Sequence, residues 1–418
     1  MKFKEYLIAN LIDEIAMGPF GSNIKVSCFV DSGVPVLNGS NLDGFSLSES
    51  SFRYVTPEKA DSLKKAIAHR GDIVITHRGT LGQIVYIPQS SKHDKYVISQ
   101  SQFRVRCNDK VLPEYLVYYF HTPIGQHKLL SNASQVGVPA LARPSSTFQQ
   151  IQVCLPEVSE QRKVISIVNA IQDRIANNVA INDNLKLQIK EICTAWLTDF
   201  RPFGGHMPSS WVETPLSDIA EFISGYSYKG NELATSNIAM ATIKNFDRNG
   251  GFKVDGYKEI IPSTKLKDSQ HVSLFDTLVA HTDLTQNAEV IGNAELVMSK
   301  AQYEDIVFSM DLVKVLPKNC GVSKFLIAAI LQDKRFKAHC LGYVNGTTVL
   351  HLSKKALLEY RLYLPSNIDE LKLLDNIITA LYKKIASNIS EITQLELLRD
   401  SLLPKLMCGK IDISSVQL

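Results

Sequence analysis

The second half of this chain repeats the first, and that duplication restricts the fold more than any single motif does. At a spacing of 204 residues, VPVLNGSNLDGF (34–45) falls on IAMATIKNFDRN (238–249), bringing Asn41 over Asn245. At the same spacing GDIVITHRGT (71–80) falls on FDTLVAHTDL (275–284), matching Asp72 with Asp276 and His77 with His281. The spacing then widens to 209 and 210, where FQQIQVCLP meets LLEYRLYLP and DRIANNVA (173–180) meets KKIASNIS (383–390). One repeat is a globular part followed by a helix, and two such units imply pseudo-two-fold symmetry.

The helical segments stand out by their period. In the first, apolar residues recur at Val164, Val168, Ile171, Ile175, Leu185, Ile189 and Ile192; in the second at Leu371, Leu374, Ile378, Leu381, Ile385, Ile392, Leu395 and Leu402, interrupted by Asn388 and Arg399. The alternating three- and four-residue steps are those of a coiled-coil seam. Two repeat-related helices must run antiparallel, and the register expected to match most apolar positions pairs residues whose numbers sum to 563. It joins Val168 to Leu395, Ile171 to Ile392, Leu185 to Ile378, Ile189 to Leu374 and Ile192 to Leu371. It also sets Asn178 beside Ile385 and Asn388 beside Ile175, close enough for the two amides to pair and fix the register.

Between the helices the pattern is mixed α/β (α+β). Strand-like runs such as GDIVIT, QIVYIP, SQFRVRC, FDTLVA and DLVKVLP alternate with the helical stretches LPEYLVYYFHTPIGQHKLL and GVSKFLIAAILQDKRFKAH. The expected layout is a globular domain over 1–156, a helix over 157–200, a second domain over 201–365 and a closing helix over 366–418. Loops rich in Gly, Asn, Ser, His and Lys join the elements and are where recognition would sit.

Composition removes several classes of function. The net charge is +3, and residues 1–155 hold 16 basic against 12 acidic side chains, so any basic footprint is local. No run of about eighteen apolar residues could span a bilayer, and Glu5, Asp13 and Glu14 interrupt the start where a signal peptide is apolar, which reads as a cytoplasmic chain. The seven cysteines are scattered without a CxxC pair, suggesting neither a disulfide framework nor a zinc site. No P-loop, HExxH, GxSxG or Asn/Asp-Pro-Pro-aromatic segment occurs. IAMGPFGSNIK (15–25) places its glycines in the wrong order for a phosphate cradle; it reads as a tight turn with Pro19 fixing φ and Gly21 free to take a positive one.

Two variable α/β halves, the first opened by a GPFGS turn, each closed by an LP strand end and a heptad helix, the second ending LLPKLMCGKI, resemble the specificity subunit of a type I restriction-modification system. The second half departs by reading ISGYSYK, keeping Gly225 and Tyr226 of the turn. The resemblance implies a non-catalytic subunit with two target recognition domains on two long antiparallel helices. They would bind a bipartite, asymmetric site on double-stranded DNA. It further implies two methyltransferase subunits and restriction subunits as partners, with S-adenosylmethionine and ATP bound by those partners and no cofactor in this chain.

Bidentate readout of bases favours Arg, Asn and Gln, with Lys, Ser and Thr on phosphates. The candidates are Ser22, Lys25, Asn38, Asn41, His77, Arg78, Thr80 and Lys92 in the first half. In the second they are Tyr226, Lys229, Lys244, Asn245, His281, Thr282, Gln286 and Asn287. Two other readings fit the same features: a coiled-coil scaffold pairing two protein-binding domains, and the specificity module of another methylation-based defence system.

Overall fold

The computed structural model describes residues 2–134, 137–285, 287–318 and 321–413, with the side chain of Ser22 also outside the description. The chain forms two compact units, Met1–Arg174 with Leu395–Leu418, and Ile175–Gln394.

In the first unit the strand Lys4–Leu7 pairs antiparallel with Gln152–Leu155. A four-stranded sheet follows in the spatial order Ile12–Met17, Gln102–Cys107, Ile73–Thr76, Ile84–Tyr86. A five-stranded sheet runs Phe29–Val30, Arg53–Val55, Val34–Val36, Lys95–Val97, Ile67–His69, with one parallel pairing at Val36 and Val97. The run IVIT is apolar without alternation for a reason visible in its packing. Ile73 and Ile75 face a core shared with Tyr115 and Phe120, whereas Val74 faces the core of Val36 and Val97. A strand covered on both faces has no solvent side to mark.

The second unit repeats this plan. Trp211–Pro215 pairs with Arg361–Pro365, and the four-stranded sheet runs Ala220–Ser224, Leu312–Pro317, Thr277–Ala280, Ala294–Leu296. The strand Ile238–Ala241 lies parallel to Asp305–Phe308, with Lys258–Glu259 on its other side. Val279 faces one core and Leu278 the other, as Ile73 and Val74 do. A buried ion pair is repeated as well. Asp72 accepts the His69 N–H at 3.0 Å and meets Arg106 Nε at 2.8 Å and Arg104 at 3.4 Å. Asp276 accepts the Ser273 N–H at 2.9 Å and meets Lys314 Nζ at 3.6 Å.

Each helical stretch of the globular parts is broken in two. Pro113–His121 and Pro123–Leu129 meet at Thr122, whose hydroxyl caps the second helix by accepting the Gly125 N–H at 3.1 Å. Lys324–Leu331 and Lys334–Leu341 meet at Asp333, which caps through the Arg335 N–H at 2.8 Å. A cap residue with extended backbone ends one helix and starts the next.

The two long helices are α1, Val158–Leu197, and α2, Lys372–Met407, of 40 and 36 residues. The start of α1 is tied down by Gln161, whose Oε1 accepts the Leu112 N–H at 2.9 Å and whose Nε2 donates to the carbonyls of Lys110 and Pro156. In the first unit Val164 and Val168 pack in one core with Leu403 and Leu406, and Arg399 donates to Gln172 Oε1 at 3.1 Å. In the second, Ile189 and Cys193 pack with Ile378, Tyr382 and Ile385, and Asn388 Nδ2 donates to Asn182 Oδ1 at 2.8 Å.

These contacts run in opposite chain directions, so α1 and α2 are antiparallel, but the register differs from the expected one. Contacting polar residues have numbers summing to 570 and 571 rather than 563. The pairs Val168 with Leu395, Ile171 with Ile392, Leu185 with Ile378, Ile189 with Leu374, Ile192 with Leu371, Asn178 with Ile385 and Asn388 with Ile175 are therefore displaced by one heptad. The expected stripe itself is present: Val168, Asn178, Ile189, Leu374, Ile378, Ile385 and Asn388 are buried, and Ile171, Ile175, Leu185, Ile392 and Leu395 are half-buried. A seven-residue slip returns every a and d position to an equivalent layer, so apolar periodicity cannot separate the two registers. The polar residues and the helix ends separate them.

The partner of Asn388 is thus Asn182 and not Asn178. One layer along, the same register sets Asn178 opposite Ile392, and the buried Asn178 Nδ2 has no hydrogen-bond partner. An unsatisfied buried amide costs roughly 1–3 kcal/mol. Asn178→Leu is expected to raise the thermal unfolding midpoint by a few degrees, whereas Asn388→Leu strands the Asn182 carbonyl and lowers it. Thermal melts of the two variants check this, and shifts of the same sign would overturn the register.

Candidate nucleic-acid interface

In the first unit several loops converge beyond one end of the four-stranded sheet. The opening turn is held by its glycines. The Gly18 N–H donates to Gln102 O at 2.8 Å, and a Cβ at Gly18 would collide with the Ser99 carbonyl while one at Gly21 would collide with the Gln100 side chain. Gly21 does not take a positive φ, so close approach, not left-handed backbone, is what requires glycine here. The residue between, Phe20, is 83% exposed.

The same 99–101 segment holds His77. The His77 N–H donates to Ser101 O at 2.9 Å and its ring nitrogen meets Gln100 O at 3.1 Å. Burial pushes the His77 pKa down, favouring the neutral ring. From His77 the loop 78–82 joins a small hairpin, Ala133–Ser134 with Ala140–Leu141: His77 O accepts the Leu141 N–H at 2.8 Å and the Gly79 N–H donates to Pro139 O at 2.9 Å. Gln83 then ties this loop to the 38–42 turn, accepting from Thr76 Oγ1 at 3.1 Å and donating to Gly39 O at 3.0 Å. On this cluster Arg78 and Thr80 are exposed, as are Lys25 and Asn38, although Asn38 Oδ1 is engaged in capping the turn through the Ser40 N–H at 2.8 Å. Lys92 is exposed on the loop before Lys95–Val97, its N–H bound by Glu49 at 3.1 Å.

The second unit builds the equivalent cluster with other side chains. A Cβ at Gly225 would collide with the Ser309 carbonyl, the His281 N–H donates to Asp311 O at 2.8 Å, and His281 O accepts the Leu352 N–H at 2.8 Å. The hairpin here is Val344–Asn345 with Leu350–Leu352, extended by Thr282–Asp283. Burial, aided by the nearby Lys354 and His351, lowers the His281 pKa, and its Nε2 is buried without a partner. Lys229, Lys244 and Asn287 are exposed.

Four of the candidates do not face solvent. Asn41 is fully buried, accepting the Asn38 N–H at 2.9 Å and donating to the carbonyls of Ser48 and Ser51 at 3.0 Å. Asn245 repeats the arrangement, accepting the Thr242 N–H at 2.8 Å and donating to Lys253 O at 2.7 Å. A matched pair of amides that looks like base readout is a pair of loop clamps, since a buried amide must satisfy its own donors and acceptors before anything else. Tyr226 is buried with its hydroxyl donating to Glu232 at 2.8 Å. Glu232 also accepts the Ser263 hydroxyl and the Lys229 and Ser263 N–H groups, which hold its pKa down to about 2. Thr282 is buried opposite His351. Gln286 and the side chain of Ser22 lie outside the described residues.

Sequence reading missed Gln100, His351 and Lys354, all exposed at these clusters. The usable signal was the repeat: the hairpins match one another, but their closeness to the histidines exists only in three dimensions. Among the described residues no group of His, Cys, Asp or Glu is placed to hold a metal ion, and no helix is long and apolar enough to cross a membrane. What the clusters offer is exposed Arg, Lys, Asn and Thr on loops fixed by backbone hydrogen bonds, a chemistry suited to binding.

Comparison with known proteins agrees. Residues 23–189 match the family described as the type I restriction modification DNA specificity domain. Over 384 residues, 87% of this chain and 83% of the relative, the chain is 21% identical to the type I restriction enzyme MjaIX specificity subunit of Methanocaldococcus jannaschii. The crystal structure of the type I restriction-modification S subunit from M. genitalium superposes with a TM-score of 0.55 at 15% identity, covering 97% of this chain and 96% of that one. In its repeated mixed α/β units and its two long antiparallel helices the chain resembles type I restriction-modification specificity subunits, and its residues 23–189 carry the match to that family's domain.

Proposed function

We propose that segments 1–156 and 201–365 are target recognition domains, each reading one part of a split, asymmetric site on double-stranded DNA. The observation that carries this is the repeated loop cluster, which keeps its backbone hydrogen bonds at His77 and His281 while changing the exposed chemistry, THRGTLGQ against AHTDLTQN. A common scaffold with different donors suits two different half-sites. As a specificity subunit the chain is the non-catalytic member of its system. Two methyltransferase subunits dock along α1 and α2 in this reading, restriction subunits join outside them, and S-adenosylmethionine and ATP are bound by those partners. Much of the phosphate contact then comes from the partners, consistent with the +3 net charge. A helix of 40 residues spans about 60 Å, enough to set reading heads a turn of duplex or more apart.

Methylome sequencing of cells expressing the chain with its methyltransferase partner should return one motif with two unlike specified parts and an unread spacer. A continuous or palindromic motif contradicts the proposal. The purified chain with S-adenosylmethionine and DNA should transfer no methyl group. A paired substitution separates readers from clamps. Arg78→Ala should weaken target binding by the assembled complex roughly tenfold or more with an unchanged melting midpoint. Asn41→Ala should lower the melting midpoint by several degrees, because it leaves buried carbonyls and an N–H unpaired. Fluorescence anisotropy and thermal melts read the two effects, and an Asn41→Ala chain of normal stability would return that residue to the reading surface.

A further inference from the structure

The first unit carries an open groove of about 620 Å³ whose lining includes His127, Lys128, Asn132, Arg143, Thr147 and Gln152. No carboxylate lines it. The groove lies at the foot of the hairpin beside the reading loop. The Ala142 N–H donates to Asn132 O at 3.1 Å, and the Leu141 N–H to His77 O at 2.8 Å. The groove is therefore one or two residues from the point where the hairpin meets the His77–Arg78 segment.

Arg143 is exposed and held in left-handed backbone, φ 47 and ψ 58, a conformation that persists in a non-glycine residue when its surroundings enforce it. Thr147 ties the segment down, donating its N–H to Arg143 O at 2.9 Å as the first bond of the helix Pro144–Gln149 and its hydroxyl to Ala142 O at 2.8 Å. Lys128 Nζ reaches across to Gln152 O at 2.6 Å and lies over the Tyr119 ring. The matching place in the second unit is built from different side chains. There the hydrogen bond equivalent to Ala142 with Asn132 is Ser353 with Tyr343, and the Tyr343 ring packs on His339, which packs on Tyr360.

We infer that this groove is a phosphate track for the DNA strand whose bases the adjoining loop reads, giving the first half-site a backbone hold beside its reading loop. The inference rests on the DNA-reading function proposed above. Lys128 and Arg143 supply positive charge, and the ring of His127 and the amide of Asn132 supply hydrogen-bond donors.

The test uses the specificity chain assembled with its methyltransferase subunits and a duplex carrying the motif that methylome sequencing returns. Binding is measured from 50 to 200 mM salt, beside a duplex lacking the motif. Lys128→Gln and Arg143→Asn, the latter keeping a residue that tolerates left-handed backbone, should each flatten the log K against log salt slope by about 0.9. Both duplexes should weaken alike, and Arg143→Lys should keep the wild-type slope. Melting midpoints of the complexes confirm that the variants fold. An unchanged slope in folded variants overturns the inference, as does a loss confined to the motif-bearing duplex, which would make the groove a base reader. Failure of the variants to assemble with the methyltransferase subunits also overturns it, because the groove would then be a protein surface. A wild-type complex that methylates no split motif fails the parent reading; normal split-motif methylation with unchanged salt slopes fails the groove alone.

Discussion

The hydrogen bond between Asn388 and Asn182 is the contact on which the alignment of the two long helices depends. Every apolar layer of such a seam tolerates a one-heptad slip, because leucine and isoleucine meet equivalent neighbours after seven residues. A buried amide does not. Moved by a heptad, Asn388 would lose its 2.8 Å partner and keep the full cost of desolvation. The same register gives Arg399 its contact with Gln172, so the residue that breaks the heptad pattern becomes the second polar marker.

Duplication preserved the buried polar framework more faithfully than the surface. Asp72 and Asp276 each accept a backbone N–H three residues upstream and each face a buried cation, although two arginines in one unit are replaced by one lysine in the other. Asn41 and Asn245 each clamp a short turn after the strand that pairs in parallel. Where the copies drifted, packing records it. Asn182 repeats as Ile392, which leaves Asn178 as an amide without its counterpart. The polar groove of the first unit has Tyr343 and His339 stacked at its matching place. Losing one partner of a buried polar pair is costly, whereas loop donors exposed to water change freely.

The architecture was legible because it rests on local rules. Period two against three to four residues located the strands and the long helices, and self-alignment located the repeat. The site was legible only in outline. The sequence pointed to loops that cluster together in each unit, yet matching Asn41 to Asn245 could not say whether these side chains face solvent or their own backbone. Tyr226 likewise lies in the opening turn with its hydroxyl turned inward to Glu232. Gln100 and His351 were missed because they join the clusters through contacts far apart in sequence.

The sequence by itself determined the two-fold repetition, the class of each element and the apolar seam, because periodicity and self-similarity are properties of neighbours along a chain. Only the tertiary structure decided the helix register, the inward or outward sense of each polar side chain and the existence of the basic groove. Those depend on which of several locally equivalent arrangements pairs most of the buried donors and acceptors, a condition set between residues as distant as Asn182 and Asn388.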